Sequence, residues 1–258
     1  MTNRDTTPMM TVSDVFAALG LLSRLPVPVD GEKATARGAA AAWAYPLAGL
    51  VIGSIVACVA TAALWAGLGA PIAAALALAT NVIITGAMHE DGLADSADGL
   101  WGGWEPARRL EIMKDSHIGV YGVTALALSF LLRWLALSML IGSGLHWAAI
   151  ISAAMLSRAS MTELMAILPN ARDTGLSKSV GRPTHAGATV AAVIGLAASL
   201  LLWGLTGLIV AVVAQVAALV CTAIAKAKIG GQTGDTLGAT QQISEIAAFL
   251  AMVVLFSS

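Results

Sequence analysis

The sequence has few charged side chains for its length. Asp, Glu, Lys and Arg make up only 11% of its 258 residues, against about 25% in a typical soluble domain. No charged residue occurs between Gly38 and Met88, nor between Pro183 and Ala225. One helical crossing of a bilayer takes about 20 apolar residues, so each uncharged stretch is long enough for two crossings and a turn. The scarcity of charge excludes a soluble globular domain and predicts a polytopic membrane protein.

Other features that are scarce exclude further classes. The net charge is -1 and there is no basic run, so the chain lacks the electrostatic footprint of a nucleic-acid-binding protein. Its two cysteines, Cys58 and Cys221, lie inside apolar segments, which excludes a disulfide framework and a thiolate metal site. The apolar runs are continuous rather than alternating, which excludes a membrane β-barrel.

The apolar runs predict an all-α fold, namely one integral membrane domain of about seven transmembrane helices over residues 1–258. The predicted spans are 43–65, 72–88, 118–141, 145–168, 186–204, 208–225 and about 242–256. An eighth candidate, Val12–Leu22, has the alternative of lying in the membrane interface.

Basic residues predict the orientation of these spans. Eleven of the fourteen Lys and Arg residues lie in four longer connections, at about 24–42, 89–117, 169–185 and 226–241. Excess Lys and Arg marks cytoplasmic loops, so all four connections are expected on the cytoplasmic side. Their functional groups can then meet in one place.

An acidic segment is the strongest chemical signal. Seven of the fifteen acidic residues fall between Glu90 and Asp115. On a helix, Asp91, Asp95 and Asp98 share one face, where unneutralised like charges repel one another. Oxygen ligands favour a hard divalent cation, Mg²⁺ or Mn²⁺. The alternative interpretation is a solvated acidic loop.

A second polar segment, residues 230–239, reads GGQTGDTLGA. Its four glycines favour a backbone that folds tightly around an anion, and Asp235 could complete the metal shell. A simple turn at a helix end is the alternative.

Several ionisable residues flank or interrupt the spans. Arg158 could contact a phosphate or pair with Glu163, whereas Arg133 is expected to snorkel or pair structurally. His89 and His117 flank the acidic segment, where a general base or a phosphate donor could lie. Each histidine could equally be an ordinary polar residue.

These segments together carry a family resemblance. HEDGLADSADGLWGG (89–103), MKDSHIGVYG (113–122), Ser157-Arg158 and GGQTGDTLGA occur in one order and resemble the adenosylcobinamide-GDP ribazoletransferase, or cobalamin synthase, family. SRLPVP (23–28) fits as well. Family members often carry an acidic residue where this chain has Gln242, so Gln242 is left outside the predicted site.

The resemblance implies a multi-pass enzyme of the bacterial inner membrane whose active site faces the cytoplasm. Such an enzyme uses Mg²⁺ to join adenosylcobinamide-GDP to α-ribazole or its 5′-phosphate, which gives adenosylcobalamin or its 5′-phosphate and GMP. The implied partners are these small molecules, the lipid bilayer and other enzymes of cobalamin synthesis. No nucleic acid is implied.

Site roles follow from the resemblance. The implied metal ligands are Asp91, Asp95, Asp98 and Asp235. The implied catalytic residues are Asp115, His89 and Glu90. The implied substrate-binding residues are Arg24, Lys114, His117, Arg158, Gln232, Thr233, Gly234 and Gly238.

Two other classes remain as alternatives. A CDP-alcohol phosphotransferase would also use aspartates and Mg²⁺, but its pattern wants Ala-Arg two residues after Asp-Gly, and Leu100 to Gly103 follow Asp98-Gly99 here. A divalent-cation or corrinoid transporter would place polar groups near the bilayer midplane. This chain keeps most of its carboxylates in the connections.

Overall fold

The computed structural model describes residues 10–256, and within that range the chain is built from helices, with a single isolated β-bridge between Asn170 and Gln232. The helices are α1 Val12–Leu22, α2 Gly31–Arg37, α3 Tyr45–Trp65, α4 Ala70–Thr85, α5 Met88–Gly102, α6 Pro106–Ile112, α7 Val120–Gly142, α8 His146–Ile167, α9 Leu176–Val180, α10 His185–Trp203, α11 Gly207–Ile229 and α12 Gly234–Phe256. Short 3₁₀ turns lead into α3 and join α10 to α11. The predicted all-α membrane fold is confirmed.

Length and hydropathy identify which helices can cross a membrane. Among the described residues five helical segments qualify, or six when the bent pair α4–α5 is counted as one crossing. One of the five, His185–Ile229, holds both α10 and α11, which pack against each other at Gly207. The seven predicted spans each coincide with a long helix, but seven crossings stays a prediction. With 11 residues, α1 is about 16 Å long, too short for a core of about 30 Å.

The bundle is organised around α8, whose apolar window is 83% buried. Helices α3, α10 and α12 all pack on it. Close approach is possible because the facing residues are small: Gly49 and Gly53 of α3 lie against the backbone of α8 at Ala154 and Ile150. A lipid-facing bundle gains little from apolar burial alone, so tight packing of small residues supplies much of the association energy.

A sharp break separates α4 from α5. Gly86 and Ala87 both adopt left-handed backbone angles, with φ of 64° and 58°, and the two helix axes meet at 88°. Glycine suits position 86 for two reasons. It adopts positive φ readily, and a Cβ there would collide with the side chain of Arg24. Helix α5 therefore runs across the end of the bundle instead of continuing the crossing.

The four long connections meet at this same end. The Arg24 amide donates to the Ile84 carbonyl (2.6 Å), Arg109 donates to the Lys228 carbonyl (2.7 Å), and the Ala171 amide donates to the Gln232 carbonyl (2.9 Å). The predicted gathering of polar segments is confirmed. The side of the membrane that this end faces stays a prediction.

Gly49→Val tests the packing of α3 on α8. A side chain at Gly49 would collide with the Ala154 carbonyl, so we expect the free energy of unfolding to fall by about 2 kcal/mol or more. Thermal unfolding of the detergent-solubilised protein measures this change. Gly31→Ala is the matched control, because nothing lies within 4 Å of an added Cβ there. Equal stability of the two variants would contradict the close α3–α8 contact.

Candidate active site

The three aspartates of α5 differ in their surroundings. Asp91 is exposed, Asp95 is partly buried and Asp98 is buried. Both carboxylate oxygens of Asp98 accept backbone hydrogen bonds, from the amides of Gly119 (2.7 Å) and Gly122 (2.9 Å). These amides belong to the N-terminal turn of α7, whose orphan donors need acceptors. Asp98 thus caps α7, and its role as a metal ligand stays a prediction.

The remaining carboxylates form an acidic patch of Asp91, Asp95 and Asp235. Partial burial, together with the negative charges of Asp91 and Asp235, raises the pKa of Asp95 to about 7. Asp235 pairs with Arg172 at 2.9 Å and accepts from the Thr233 hydroxyl at 3.2 Å. Within residues 10–256 no three His, Cys, Asp or Glu side chains are grouped to hold one metal ion. The predicted four-aspartate shell is therefore not preassembled.

The glycine-rich segment is half helical, since α12 begins at Gly234. Gln232 is buried, and its side-chain amide forms hydrogen bonds with the side chains of Asn170 (2.6 Å) and Ser177 (2.6 Å). Thr233 exchanges hydrogen bonds with Thr236, as a helix N-cap does. Both residues stabilise the start of α12, and their role in substrate binding stays a prediction.

Two glycines of this segment have different roles. Gly238 is buried where α12 crosses α5, and an added Cβ would lie 3.2 Å from the Gly92 Cα. It allows the two helices to touch and offers substrate no open surface. At Gly234 nothing lies within 4 Å of an added Cβ, so the N-terminus of α12 remains accessible there.

Three cationic side chains surround Gly234 and define a basic pocket. Arg172 and Lys178 line a cleft with Thr174 and Gly234, and Lys114 reaches the Thr174 hydroxyl at 3.4 Å. The Nη1 atom of Arg172 is buried without a hydrogen-bond partner in the described structure. Sequence reasoning missed Arg172 and Lys178, although both lie in the third basic connection.

A network of buried charges lies beneath α5. Arg133 is fully buried and contacts Glu90 (3.2 Å) and Glu245 (3.4 Å). Arg158, also fully buried, lies in the electrostatic field of the same two glutamates. Gln241 and Gln242 join the network through Glu245 (2.8 Å) and Glu90 (3.2 Å). We call these six residues the charge network.

Two residues of this network were predicted to act in the site. Glu90, expected to be catalytic, is the buried partner of Arg133. Arg158, expected to bind phosphate, donates to the Ala154 carbonyl inside the bundle. It does not pair with Glu163, whose partner is Gln215. The predicted roles of Glu90 in catalysis and of Arg158 in phosphate binding stay predictions.

The other predicted residues lie apart from the network. His89 is 1% exposed and lines a cavity, and its catalytic role stays a prediction. Asp115 and His117 form an exposed pair at 2.7 Å; this contact lowers the pKa of Asp115 and raises that of His117. Arg24 is exposed beside the α4–α5 break.

An all-helical membrane bundle with an acidic patch and a basic pocket at one end has the arrangement of a membrane enzyme that acts on phosphorylated substrates. Residues 14–253 match the family model described as cobalamin-5-phosphate synthase. The chain belongs to this family, and it is a transferase of cobalamin biosynthesis.

Curated relatives agree with this family. The protein named adenosylcobinamide-GDP ribazoletransferase from Mesorhizobium japonicum is 44% identical over 99% of this chain and 98% of its own length. The protein of the same name from Bradyrhizobium diazoefficiens is 43% identical over 93% and 92%. The one from Rhizobium etli is 42% identical over 93% and 95%. No solved structure matches the chain. Family membership decides against the CDP-alcohol phosphotransferase and transporter alternatives.

Arg133→Met tests the charge network. The substitution leaves Glu90 and Glu245 buried without their closest cation, which is expected to cost about 3–5 kcal/mol of stability. Arg108→Met is the matched control, because its pair with Glu111 is 61% and 68% exposed and such surface pairs contribute little. Chemical denaturation in mild detergent compares the variants. A stable Arg133→Met protein would contradict the structural role of the network.

Proposed function

We propose that this enzyme joins adenosylcobinamide-GDP to α-ribazole or α-ribazole 5′-phosphate and releases GMP. The observation that carries the proposal is the adjacency of the acidic patch and the basic pocket, which share the Arg172–Asp235 ion pair. A reaction at a phosphorus atom needs cations around the phosphate oxygens and a place for a metal ion. Both are available at the end of the bundle where the polar connections meet.

The carboxylates of the acidic patch suit a magnesium ion. Mg²⁺ commonly binds through one or two carboxylates together with substrate phosphates and water, so a complete protein shell is not required. Asp91 is exposed, and burial together with the negative charges of Asp91 and Asp235 raises the pKa of Asp95. A cation bound there would neutralise part of this negative charge. We assign Asp91 and Asp95 as ligands, with Asp235 beside them. When bound, the ion would offset negative charge on the phosphate oxygens.

The basic pocket would hold the diphosphate of the GDP-activated substrate. The buried Nη1 atom of Arg172 has no hydrogen-bond partner in the described structure, and a guanidinium N–H forms strong, charge-assisted hydrogen bonds with phosphate. Lys114 and Lys178 add positive charge. The accessible start of α12 at Gly234 favours an anion through its backbone amides and dipole.

The attacking hydroxyl group of the ribazole needs a group to orient it. Asp115 is the candidate, because it lies next to Lys114 in the connection that reaches the basic pocket. Its hydrogen bond to His117 lowers the pKa of Asp115 and keeps the carboxylate ionised, so it can accept a hydrogen bond from the attacking hydroxyl group and orient it. We retain Asp115 and His117 in this role, and Arg24 as a further phosphate contact at the rim.

The location follows from the basic connections. We propose that the enzyme lies in the bacterial inner membrane with this end toward the cytoplasm, where water-soluble substrates would reach it. Membrane attachment would then keep the enzyme beside other enzymes of cobalamin synthesis.

Substitution of the acidic patch tests the reaction and its metal. With adenosylcobinamide-GDP, α-ribazole 5′-phosphate and Mg²⁺, the wild-type protein is expected to release GMP, and chelation by EDTA should stop it. Asp91→Asn and Asp95→Asn should each lower kcat at least about 100-fold, because a neutral amide holds Mg²⁺ poorly. Chromatography of GMP and of the corrinoid product measures both.

The control for this experiment is Asp30→Asn. Asp30 pairs with Lys33 on the surface of α2, so its loss should leave turnover unchanged. Full activity in Asp91→Asn and Asp95→Asn would remove the metal assignment while leaving the reaction intact. No GMP from folded wild-type protein would contradict the proposed reaction itself.

Arg172→Gln tests the basic pocket. Loss of the guanidinium is expected to raise KM for adenosylcobinamide-GDP about tenfold or more, since a charge-assisted hydrogen bond is worth about 1.5–3 kcal/mol. The KM for the ribazole substrate should change much less. Arg108→Gln, which removes an exposed arginine outside the pocket, should leave both values unchanged. Equal increases in both KM values would indicate a general disturbance of the site.

A further inference from the structure

A cavity lies beside the first turns of α12, at Gly234, Leu237 and Gly238. It is bounded by residues of α1, α3, α5, α8 and α12, and its wall is apolar except at a few points. Leu22, Tyr45, Met161, Met165 and Leu237 supply apolar surface, and His89 lies among them. A mainly apolar cavity with one or two polar groups is the usual form of a small-molecule site.

The cavity continues in two directions. On one side it shares Leu21, Tyr45, Leu176 and Val180 with a wider chamber of about 490 Å³ between α1, α2 and α9. On the other side it shares Ser177 and Gly234 with the basic pocket. A molecule in the cavity would therefore lie next to the place where phosphate is proposed to bind.

His89 is a polar side chain in the wall of this cavity that has no hydrogen-bond partner in the described structure. Its side chain is almost fully buried, and neither ring nitrogen has a hydrogen-bond partner in the described structure. The neutral ring has one N–H donor and one lone pair. Leaving both unused in an apolar wall costs free energy.

We propose that this cavity binds a flat nitrogen heterocycle, with the His89 N–H donating to an imine-type ring nitrogen. The inference rests on the proposed function: the heterocycle would be the aromatic base of the ribazole substrate. Its sugar would then extend toward Gly234 and the acidic patch. A lipid chain in the same cavity would leave His89 without a partner.

Flexible walls allow a ring to enter. The part beside His89 is narrow, about 50 Å³, and Met88, Met161 and Met165 line it. Unbranched methionine side chains adapt readily to a ligand and make favourable contacts with aromatic rings. The wider chamber between α1, α2 and α9 provides the approach.

Binding of benzimidazole and indole to the whole protein in lipid nanodiscs tests the proposal. The two rings have similar shape, but only benzimidazole has an imine-type nitrogen lone pair. Wild-type protein is expected to bind benzimidazole about tenfold more tightly than indole, the value of one hydrogen bond. His89→Leu should bind both equally. Equilibrium dialysis measures the affinities, with empty nanodiscs subtracted for partition into lipid.

A second variant separates the cavity from the rest of the bundle. Ala34→Trp fills the wider chamber without touching His89 and should weaken both ligands at least about tenfold. The matched control is Ala192→Trp in the lipid-facing groove between α8, α10 and α11, which should leave both affinities unchanged. Equal affinities in wild type, a preference that survives in His89→Leu, or no effect of Ala34→Trp would each overturn the proposal.

GMP release by the same preparations separates this inference from the proposed function. Turnover without selective benzimidazole binding would overturn the cavity assignment alone. Selective binding without any turnover would contradict the proposed reaction and leave the heterocycle site standing.

Discussion

The structure depends on how buried charge is balanced inside an apolar bundle. Arg133 lies between Glu90 of α5 and Glu245 of α12, and Arg158 of α8 adds a second positive charge next to the same carboxylates. Charged groups are costly in an apolar interior unless each is paired. The network thus joins four helices. Because each buried charge must be paired, only a few arrangements of these helices are possible. A displacement of α5 would separate Glu90 from its arginine.

This constraint explains how carboxylates are held at the end of the bundle. Glu90 and Asp91 are neighbours on α5, yet one is buried in the network and the other is exposed. The contact of Gly92 with Gly238 brings α5 against α12 with backbone near backbone, and Asp235 therefore lies near Asp95. The Asp98 carboxylate caps α7. The inward-facing contacts of α5 fix the orientation of the helix and so determine which of its side chains face outward.

The sequence predicted the long helices well, because the crossing of a bilayer imposes a strong and local pattern of hydropathy. It also predicted that Asp91 and Asp95 share a helical face, which follows from spacing alone. The surroundings of Glu90, Asp98 and Arg158 could not be predicted, because their partners lie 21 to 87 residues away in the chain: Arg133 for Glu90, Gly119 for Asp98 and Glu245 for Arg158. A motif records which residues occur together, but not which way each side chain faces. Arg172 was missed because it lies in a loop, where no periodic pattern marks a functional side chain. Only the structure shows that Asp235 lies beside it.

The same reasoning explains why α5 is bent away from α4. Had the chain continued straight, Asp91, Asp95 and Asp98 would lie along a crossing helix, and their burial in lipid would be prohibitive. The left-handed backbone at Gly86 and Ala87 turns the axis by 88°, so the exposed aspartates reach the polar end while Glu90 still reaches Arg133. Ala87 is a non-glycine residue at positive φ, which is a strained conformation. It lies at the point where the apolar α4 ends and the polar α5 begins. The break between α4 and α5 is a requirement of the site rather than an irregularity of the fold.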